Sequence, residues 1–254
     1  MEGRAQDAFM KLRYRLDADL RRSNAGITAG SDGLPLPPPE LAYLADGDFS
    51  LAAYEEGGRR HAQNIRGMLS DAGLPVERAE DVLDFGCGTG RVLRHFAGLG
   101  PRLYGSDLNH ELIEWCSAHL PVATFSPNSP EPPLSWPDST FDIVYCISVY
   151  THLPERLQHR WLSEHTRVLK PGGLLYFTTH GRSRRQQLSP GEREAFDLGE
   201  FVVQGGRYSF SNHCGTYHPV QWVRATLARK LEEVTFVEAV GTHEQDGWLF
   251  RRDG

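Results

Sequence analysis

Val82-Leu83-Asp84-Phe85-Gly86-Cys87-Gly88-Thr89-Gly90-Arg91 is the most informative segment of this chain. Its apolar first residues predict a buried strand, and its three alternating glycines predict a tight turn after that strand. Residues 91–99 are amphipathic and predict a helix. A strand, a glycine turn and a helix in this order bring the backbone close to a small ligand.

The spacing of the glycines narrows the choice of ligand. A dinucleotide site needs Gly-x-Gly-x-x-Gly, but Arg91 stands where the third glycine would be. No Gly-Lys-Ser or Gly-Lys-Thr follows the turn, so a phosphate-cradling loop is excluded as well. Asp84 directly before the turn would repel a phosphate and favours a ligand that carries positive charge.

Strands and helices alternate on the carboxyl-terminal side of this turn. This alternation predicts an α/β fold with a doubly wound, mostly parallel sheet that has helices on both faces. Strands are predicted at residues 82–85, 102–106, 122–125, 141–147, 174–179, 235–240 and 247–251, and helices at 91–99, 111–119, 155–169 and near 220–231.

Four motifs occur in the order typical of one enzyme family. They are the glycine segment 83–90, Asp107 at the end of the second strand, residues 136–144, and residues 167–173 before the fifth strand. In these motifs the chain resembles the class I S-adenosylmethionine-dependent methyltransferases, firmly over residues 80–180 and more loosely over 217–252. The resemblance implies a Rossmann-like sheet of seven strands whose last strand inserts between the fifth and sixth.

The resemblance also implies S-adenosylmethionine as the cofactor and S-adenosylhomocysteine as the product. Asp84 would orient the glycine loop and the methionine end, and Asp107 would bind the ribose hydroxyls, as a carboxylate does in dinucleotide enzymes. Leu108 would contact the adenine, and Asn128 would replace an acid that the family often has. The full set of expected cofactor contacts is Asp84, Phe85, Gly86, Cys87, Gly88, Gly90, Asp107, Leu108, Asn128, Ile147 and Ser148.

Histidines and tyrosines follow the fourth and fifth strands, where parallel sheets place their chemistry. A base is needed when the acceptor must lose a proton, and imidazole titrates in a useful range. We therefore expect His152 and, second, His180 as catalytic residues, although either could be structural. Expected substrate contacts are Tyr150, His213, Tyr217 and His218. No metal site is expected, because the chain has no His-x-x-x-His pattern.

The composition of the chain limits its expected partners and its expected location. The chain has 254 residues, 39% of them hydrophobic, and a net charge of −6 without a lysine-rich block, so nucleic acid is not an expected partner. Its four cysteines form no Cys-x-x-Cys pair, which indicates a reducing compartment. Residues 1–22 lack the apolar core of a signal peptide, and no stretch has membrane-spanning length. We expect a cytoplasmic protein that does not bind membranes.

Two segments would flank the site. Residues 1–75 are predicted to form an N-terminal helical cap with a flexible connector at 26–39, and residues 76–254 the cofactor-binding domain. The apolar stripe on a helix at residues 5–22 would pack on its own domain or on a second copy in a homodimer, or close over the site. The polar insertion 181–216 interrupts the alternation and would form a substrate lid.

These observations predict methyl transfer to a small-molecule acceptor. A hydroxyl acceptor is expected first because candidate bases are plentiful, and nitrogen or carbon acceptors stay open. The alternatives are a nicotinamide-dependent oxidoreductase, which shares the strand, the glycine turn and Asp107, and a non-catalytic subunit that only binds the cofactor.

Overall fold

The computed structural model describes Met10 and residues 12–204, 215–241 and 243–254. Its seven-stranded sheet consists of β1 (Asp81–Phe85), β2 (Arg102–Asp107), β3 (Thr124–Pro127), β4 (Phe141–Cys146), β5 (Leu169–Thr179), β8 (Glu232–Val240) and β9 (Gln245–Arg251), and β6 (Val202–Gln204) pairs with β7 (Gly215–Tyr217) in a separate sheet. The helices are α1 (Ala18–Asn24), α2 (Pro39–Asp46), α3 (Leu51–Asp71), α4 (His110–His119), α5 (Glu155–Val168), α6 (Pro190–Asp197) and α7 (Val220–Trp222).

The strand order of the large sheet is β3-β2-β1-β4-β5-β9-β8. The first five strands pair in parallel, whereas β9 runs antiparallel to both β5 and β8. The predicted α/β class, the seven strands and the inserted last strand are therefore confirmed.

The central strands are buried on both faces of the sheet. Leu83 and Val144 pack with Trp161 of α5 on one face, whereas Val82 and Ile143 pack with Ile65 of α3 on the other. Successive residues alternate between these two clusters because side chains in a strand point to opposite faces. Helix α3, which the sequence assigned to the N-terminal cap, thus contributes to the same core as the sheet.

The predicted helix at residues 91–99 is wrong. The structure has only a 3₁₀ turn there, Leu93–Phe96, with backbone bonds from His95 to Val92 and from Ala97 to Arg94. Gly98 follows with a φ of 75°, a left-handed conformation that stops a helix. Helix α3 crosses this segment so closely that a Cβ on Gly58 would collide with the Arg91 carbonyl oxygen.

The connector at residues 26–39 is anchored rather than flexible. The Arg94 side chain, which has no exposed surface, donates to both Asp32 carboxylate oxygens at 2.7 Å. The same guanidinium donates to the carbonyl oxygens of Leu34 at 2.7 Å and Pro35 at 2.9 Å. A buried arginine with four such bonds fixes the connector against the segment that follows the glycine turn.

Other predicted boundaries shift by a few residues. Strand β3 begins at Thr124, and the helix predicted near 220–231 is a short α-helical turn that continues as a π-helical turn at Val223–Leu227. The described part of the insertion contains a 3₁₀ turn at Arg182–Gln187, α6 and β6. Across the described ranges, no helix combines the length and apolar character that crossing a bilayer requires.

Candidate active site

Two adjoining cavities lie at the carboxyl ends of the parallel strands. The first, cavity A, has a volume of about 340 Å³ and is lined by Asp84, His180 and residues of α2. The second, cavity B, has a volume of about 190 Å³ and is lined by Asp107, Leu108 and Asn128. Both are lined by Ala45, Gly86, Ile147, Ser148 and His152, so one extended ligand could occupy the two together.

The glycine turn forms the floor where the cavities meet. Gly86 has a φ of 77° and Gly88 a φ of 55°, in the region that favours glycine. A Cβ on Gly88 would lie 2.8 Å from Ala45 Cβ of α2, and one on Gly86 would collide with the Val149 side chain. Because both positions are closed to larger residues, the turn brings its backbone directly to the cavities.

Asp107 fixes the turn to strand β2 and faces cavity B. Its Oδ2 accepts from the Gly88 N–H and its Oδ1 from the Asn109 N–H, each at 2.8 Å. Burial raises the pKa of this carboxyl, and the surrounding backbone N–H groups oppose the rise. Each carboxylate oxygen has two lone pairs, so Asp107 can still accept bonds from a ligand diol.

Asn128 lies beside Asp107 in cavity B. Its backbone N–H donates to the Asp107 carbonyl oxygen at 3.1 Å, and its side-chain Oδ1 accepts from Ser106 Oγ at 2.9 Å. Its Nδ2 donates to the Ser129 carbonyl oxygen at 2.9 Å. These bonds hold the amide at the cavity wall, where the sequence predicts the contact with adenine.

Asp84 is a buried carboxylate that lines cavity A. It is 4% exposed, and its Oδ2 accepts from the Tyr145 hydroxyl at 2.9 Å. Burial raises the pKa of Asp84 to about 7, the charge of Asp107 adds to the rise, and the Tyr145 hydrogen bond opposes it. A cationic ligand group would restore the ionised form, because an opposite charge favours it.

The two candidate catalytic histidines lie together. The rings of His152 and His180 are 6.4 Å apart between centroids and nearly perpendicular, at 84°. Burial, together with the nearby His152 and Arg184, lowers the pKa of His180 to about 3. His180 Nδ1 is buried without a hydrogen-bond partner among the described residues. His180 is therefore a neutral imidazole at neutral pH.

Ser148 is held in a strained conformation between the cavities. Its φ of 58° is unusual for a residue with a side chain. The Ser148 N–H donates to Thr178 Oγ1 at 2.8 Å, and Gln245 Nε2 donates to Ser148 Oγ at 2.6 Å. Strain that neighbouring groups maintain in this way is typical of functional sites.

Three predicted substrate contacts lie in the core instead of lining cavity A or B. The Tyr150 hydroxyl is 3.2 Å from His165 Nδ1, and His218 Nε2 is 2.9 Å from Gln158 Oε1. The Tyr217 hydroxyl donates to glutamine oxygens of the insertion at 3.2 Å. Tyr150 lies in a 3₁₀ turn, Tyr217 ends β7 and His218 follows it directly. His213, the fourth, lies outside the described residues.

Several residues of cavity A escaped the sequence prediction. Asp46 comes from α2, and its Oδ1 is 2.8 Å from Arg91 Nη2 and 3.2 Å from His243 Nε2. Arg184 also lines this cavity and donates to the His243 carbonyl oxygen. Only tertiary packing joins these positions, although Arg91 was conspicuous as the residue that replaces a glycine.

A cluster of carboxylates at the other end of the sheet does not belong to this site. Glu80, Asp81 and Asp142 place oxygen atoms close enough together to hold an ion. Lys170 Nζ is 2.9 Å from Asp142 and 3.1 Å from Glu80, and Arg102 donates to both oxygens of Asp81 at 2.7 Å. Because each of the three carboxylates already pairs with Lys170 or Arg102, the cluster does not point to a metal.

Known proteins resemble the same part of the chain. Residues 83–177 match the family model described as a methyltransferase domain. A ubiquinone biosynthesis O-methyltransferase of Thiobacillus denitrificans is 30% identical, over 42% of this chain and 47% of the relative. One of the same name from Coxiella burnetii is 26% identical, over 58% of each. The chain spans about half the length of the curated relatives that it matches.

A solved structure shares the architecture. An S-adenosylmethionine-dependent methyltransferase from Mesorhizobium loti superposes with a TM-score of 0.57 at 16% identity, over 75% of this chain and 96% of the other. The predicted motifs also fit the cofactor of such proteins, because a glycine floor closed to any Cβ adjoins the buried carboxylate of Asp84. Residues 83–177 therefore carry a methyltransferase domain, and the sheet topology is that of S-adenosylmethionine-dependent methyltransferase structures.

Proposed function

We propose that this protein transfers the methyl group of S-adenosylmethionine to an oxygen atom of a small-molecule acceptor. The observation that carries the proposal is the shared wall of cavities A and B, where Gly86, Ser148 and His152 line both. Cavity B adds the cofactor residues Asp107, Leu108 and Asn128, and cavity A adds Asp84 together with His180.

The cofactor residues divide between the two cavities. In cavity B, Asp107 would accept the ribose hydroxyls, and Leu108 and Asn128 would contact the adenine. In cavity A, Asp84 and the glycine turn would hold the ammonium end of the methionine portion. Phe85, Cys87, Gly90 and Ile147 complete the proposed set. Cys87 belongs there as packing rather than as a nucleophile, because burial raises the pKa of its thiol well above the ordinary range.

Bound S-adenosylmethionine supplies an electrophilic methyl group on a sulfonium centre. The protein therefore has to place the acceptor oxygen in line and remove its proton when the oxygen is a hydroxyl. His180 Nδ1 has no hydrogen-bond partner among the described residues, so its lone pair is our candidate acceptor for that proton. His152 lines both cavities and would orient the acceptor against the methyl group.

Three facts favour a small acceptor over a macromolecule. Helix α2 covers the glycine turn, because Ala45 packs on Gly88. Cavity A holds about 340 Å³. The net charge of −6 disfavours nucleic acid. The relatives named as O-methyltransferases support oxygen as the acceptor atom.

The flanking segments fit a role in enclosing the acceptor. We propose α2 and the Arg182–Gln187 turn as parts of the enclosure, since Asp46 and Arg184 both line cavity A. The division of the chain at residue 75, the homodimer and the cytoplasmic location stay predictions.

The alternatives have less support. A dinucleotide would need a glycine where Arg91 stands, and Arg91 is instead committed to a buried ion pair with Asp46. A non-catalytic subunit would have no use for the strained Ser148 and the paired histidines at the shared wall.

The test is formation of S-adenosylhomocysteine with a panel of purified alcohols, phenols, catechols, amines and activated carbon acids. We expect turnover with hydroxylated members that His180→Asn abolishes. Turnover confined to amines or carbon acids would contradict oxygen as the acceptor, and preferential binding of NAD would contradict the cofactor assignment.

A further inference from the structure

One of the two arginines that line cavity A has no carboxylate partner among the described residues. The two arginines are Arg91 and Arg184. Arg91 is paired with Asp46 at 2.8 Å, whereas no carboxylate in the described part of the chain lies within ion-pair distance of Arg184. Asp84, the other acid of the cavity, belongs to the proposed cofactor site. The charge of Arg184 is therefore left without a protein partner among the described residues.

Arg184 is held in place by a neutral group. Its Nε and Nη2 donate to the His243 carbonyl oxygen at 2.8 and 2.5 Å. This carbonyl restrains the planar guanidinium but does not cancel its charge. Nη1 has no acceptor among the described residues, so a ligand can still bind to a side chain whose position is already fixed.

Arg184 lies close in the chain to the candidate base His180, and both line cavity A. Arg184 follows β5 in the Arg182–Gln187 turn, and its charge contributes to the low pKa of His180. The cofactor motifs instead follow β1 and β2, which β4 separates from β5 in the sheet. The free charge thus lies near the candidate base.

A second arginine atom supports a ligand with negative charge. The Arg91 side chain is 9% exposed, lines cavity A and keeps Nη1 buried without a partner among the described residues. Leaving a buried N–H of a charged group without a hydrogen bond costs free energy. A ligand oxygen that accepts a hydrogen bond from Arg91 Nη1 would therefore stabilise the protein. Cavity A therefore offers two cationic donor groups and a single carboxylate, Asp46, outside the proposed cofactor contacts.

We propose that the methyl acceptor is a small carboxylic acid whose carboxylate pairs with Arg184 while its hydroxyl lies at His152 and His180. This inference rests on the proposed function. A carboxylate matches the planar fork of a guanidinium and forms strong charge-assisted bonds with it. The acid group is an anchor, and the methyl group goes to the separate hydroxyl oxygen, which loses its proton to His180.

The test compares matched probes on protein saturated with S-adenosylhomocysteine. The probes are 3,4-dihydroxybenzoate, 4-hydroxyphenylacetate and 3-hydroxybutyrate, each against its primary amide, with affinities from calorimetry. We expect at least one acid to bind about tenfold more tightly than its amide, as one charge-assisted pair provides. Arg184→Gln should remove this preference, and Arg184→Lys should retain part of it.

Arg182→Gln is the matched control. Arg182 lies in the same turn and is exposed, and it does not line cavity A. It should keep the preference for the acid, and all variants should bind S-adenosylhomocysteine with wild-type affinity. Because Arg184 makes no ion pair with a described residue, the variant should melt near the wild-type temperature.

Two results would overturn the inference alone: that no acid binds more tightly than its amide, or that the preference for the acid survives in Arg184→Gln. A loss of affinity for S-adenosylhomocysteine in Arg184→Gln would also overturn it, because that result would assign the arginine to the cofactor. A wild-type protein that does not bind S-adenosylhomocysteine would instead overturn the proposed function, and this inference with it.

Discussion

Arg91 Nη2 lies 2.8 Å from Asp46 Oδ1 in an ion pair, and both side chains are only 9% exposed. This ion pair joins the last residue of α2 to the residue that follows the glycine turn. The N-terminal segment is thereby fixed over the site by a charge pair that is removed from water. The position of the enclosure and the stability of the fold should depend on the same two residues.

Asp46→Asn should destabilise the protein by about 3–5 kcal/mol, because it leaves the buried Arg91 charge uncompensated. Urea unfolding measures this difference. Glu56→Gln is the control, since the Glu56–Arg59 pair is exposed and should contribute less than about 1 kcal/mol. If Asp46→Asn were as stable as the control, the pair would not fix the segment. The double variant Asp46→Asn/Arg91→Met should recover much of the loss.

Asp107→Ala should weaken binding of S-adenosylhomocysteine by about 2–3 kcal/mol, roughly 30- to 160-fold, through the loss of charge-assisted bonds to the ribose. Calorimetry measures the affinity. Asp107→Asn separates two roles, because an amide oxygen can keep the bond from Gly88 N–H but has no charge. Asp71→Ala, an exposed carboxylate at the end of α3, should bind normally. Unchanged affinity in Asp107→Ala would refute the ribose assignment.

Asp84→Asn should stabilise the ligand-free protein increasingly as the pH rises. The folded pKa of Asp84 is about 7 and the ordinary value is 3.8, so the folded state keeps a proton that the unfolded state releases. The wild-type protein therefore loses stability from about pH 4 to pH 7, by up to about 4 kcal/mol, and the variant does not.

Unfolding free energies of both proteins at several pH values test this prediction. The difference between them isolates Asp84, because the other titrating groups are common to both. A difference that does not change with pH would show that Asp84 is already ionised in the folded state.

His180→Asn should lower kcat by about 100-fold or more while the affinity for S-adenosylhomocysteine stays within about twofold, because a general base acts only in the chemical step. Since the pKa of His180 is about 3, its protonation should not cause any loss of rate between about pH 5 and pH 8. His110→Asn, an exposed position at the start of α4, is the control. An equal loss of cofactor affinity in His180→Asn would indicate a structural role.

The sequence predicted the parts of this protein that local pattern determines. The buried strands β1 and β4 are apolar runs in the sequence, and the glycines after β1 mark a turn whose backbone adopts left-handed conformations. Asp107 was predictable because it ends a strand, and parallel strands bring their carboxyl ends to a common edge. His152 and His180 were predicted to be near one another for the same reason.

The errors come from contacts that no local pattern contains. The glycine segment continues as a 3₁₀ turn because α3 occupies the neighbouring space at Gly58. The polar side-chain atoms of Tyr150 and His218 have hydrogen-bond partners in the core. Asp46 and His243 meet at 3.2 Å although they are distant in the chain, and only the folded structure reveals that contact.

The most direct test of methyl transfer to a small molecule follows the label from trideuteromethyl S-adenosylmethionine into a cell extract. Mass spectrometry of the small-molecule fraction should show a deuterated methyl group on a hydroxylated metabolite with the wild-type protein and none with His180→Asn. Label found only in the protein or nucleic-acid fraction, or in no fraction although S-adenosylhomocysteine binds, would contradict the proposed function.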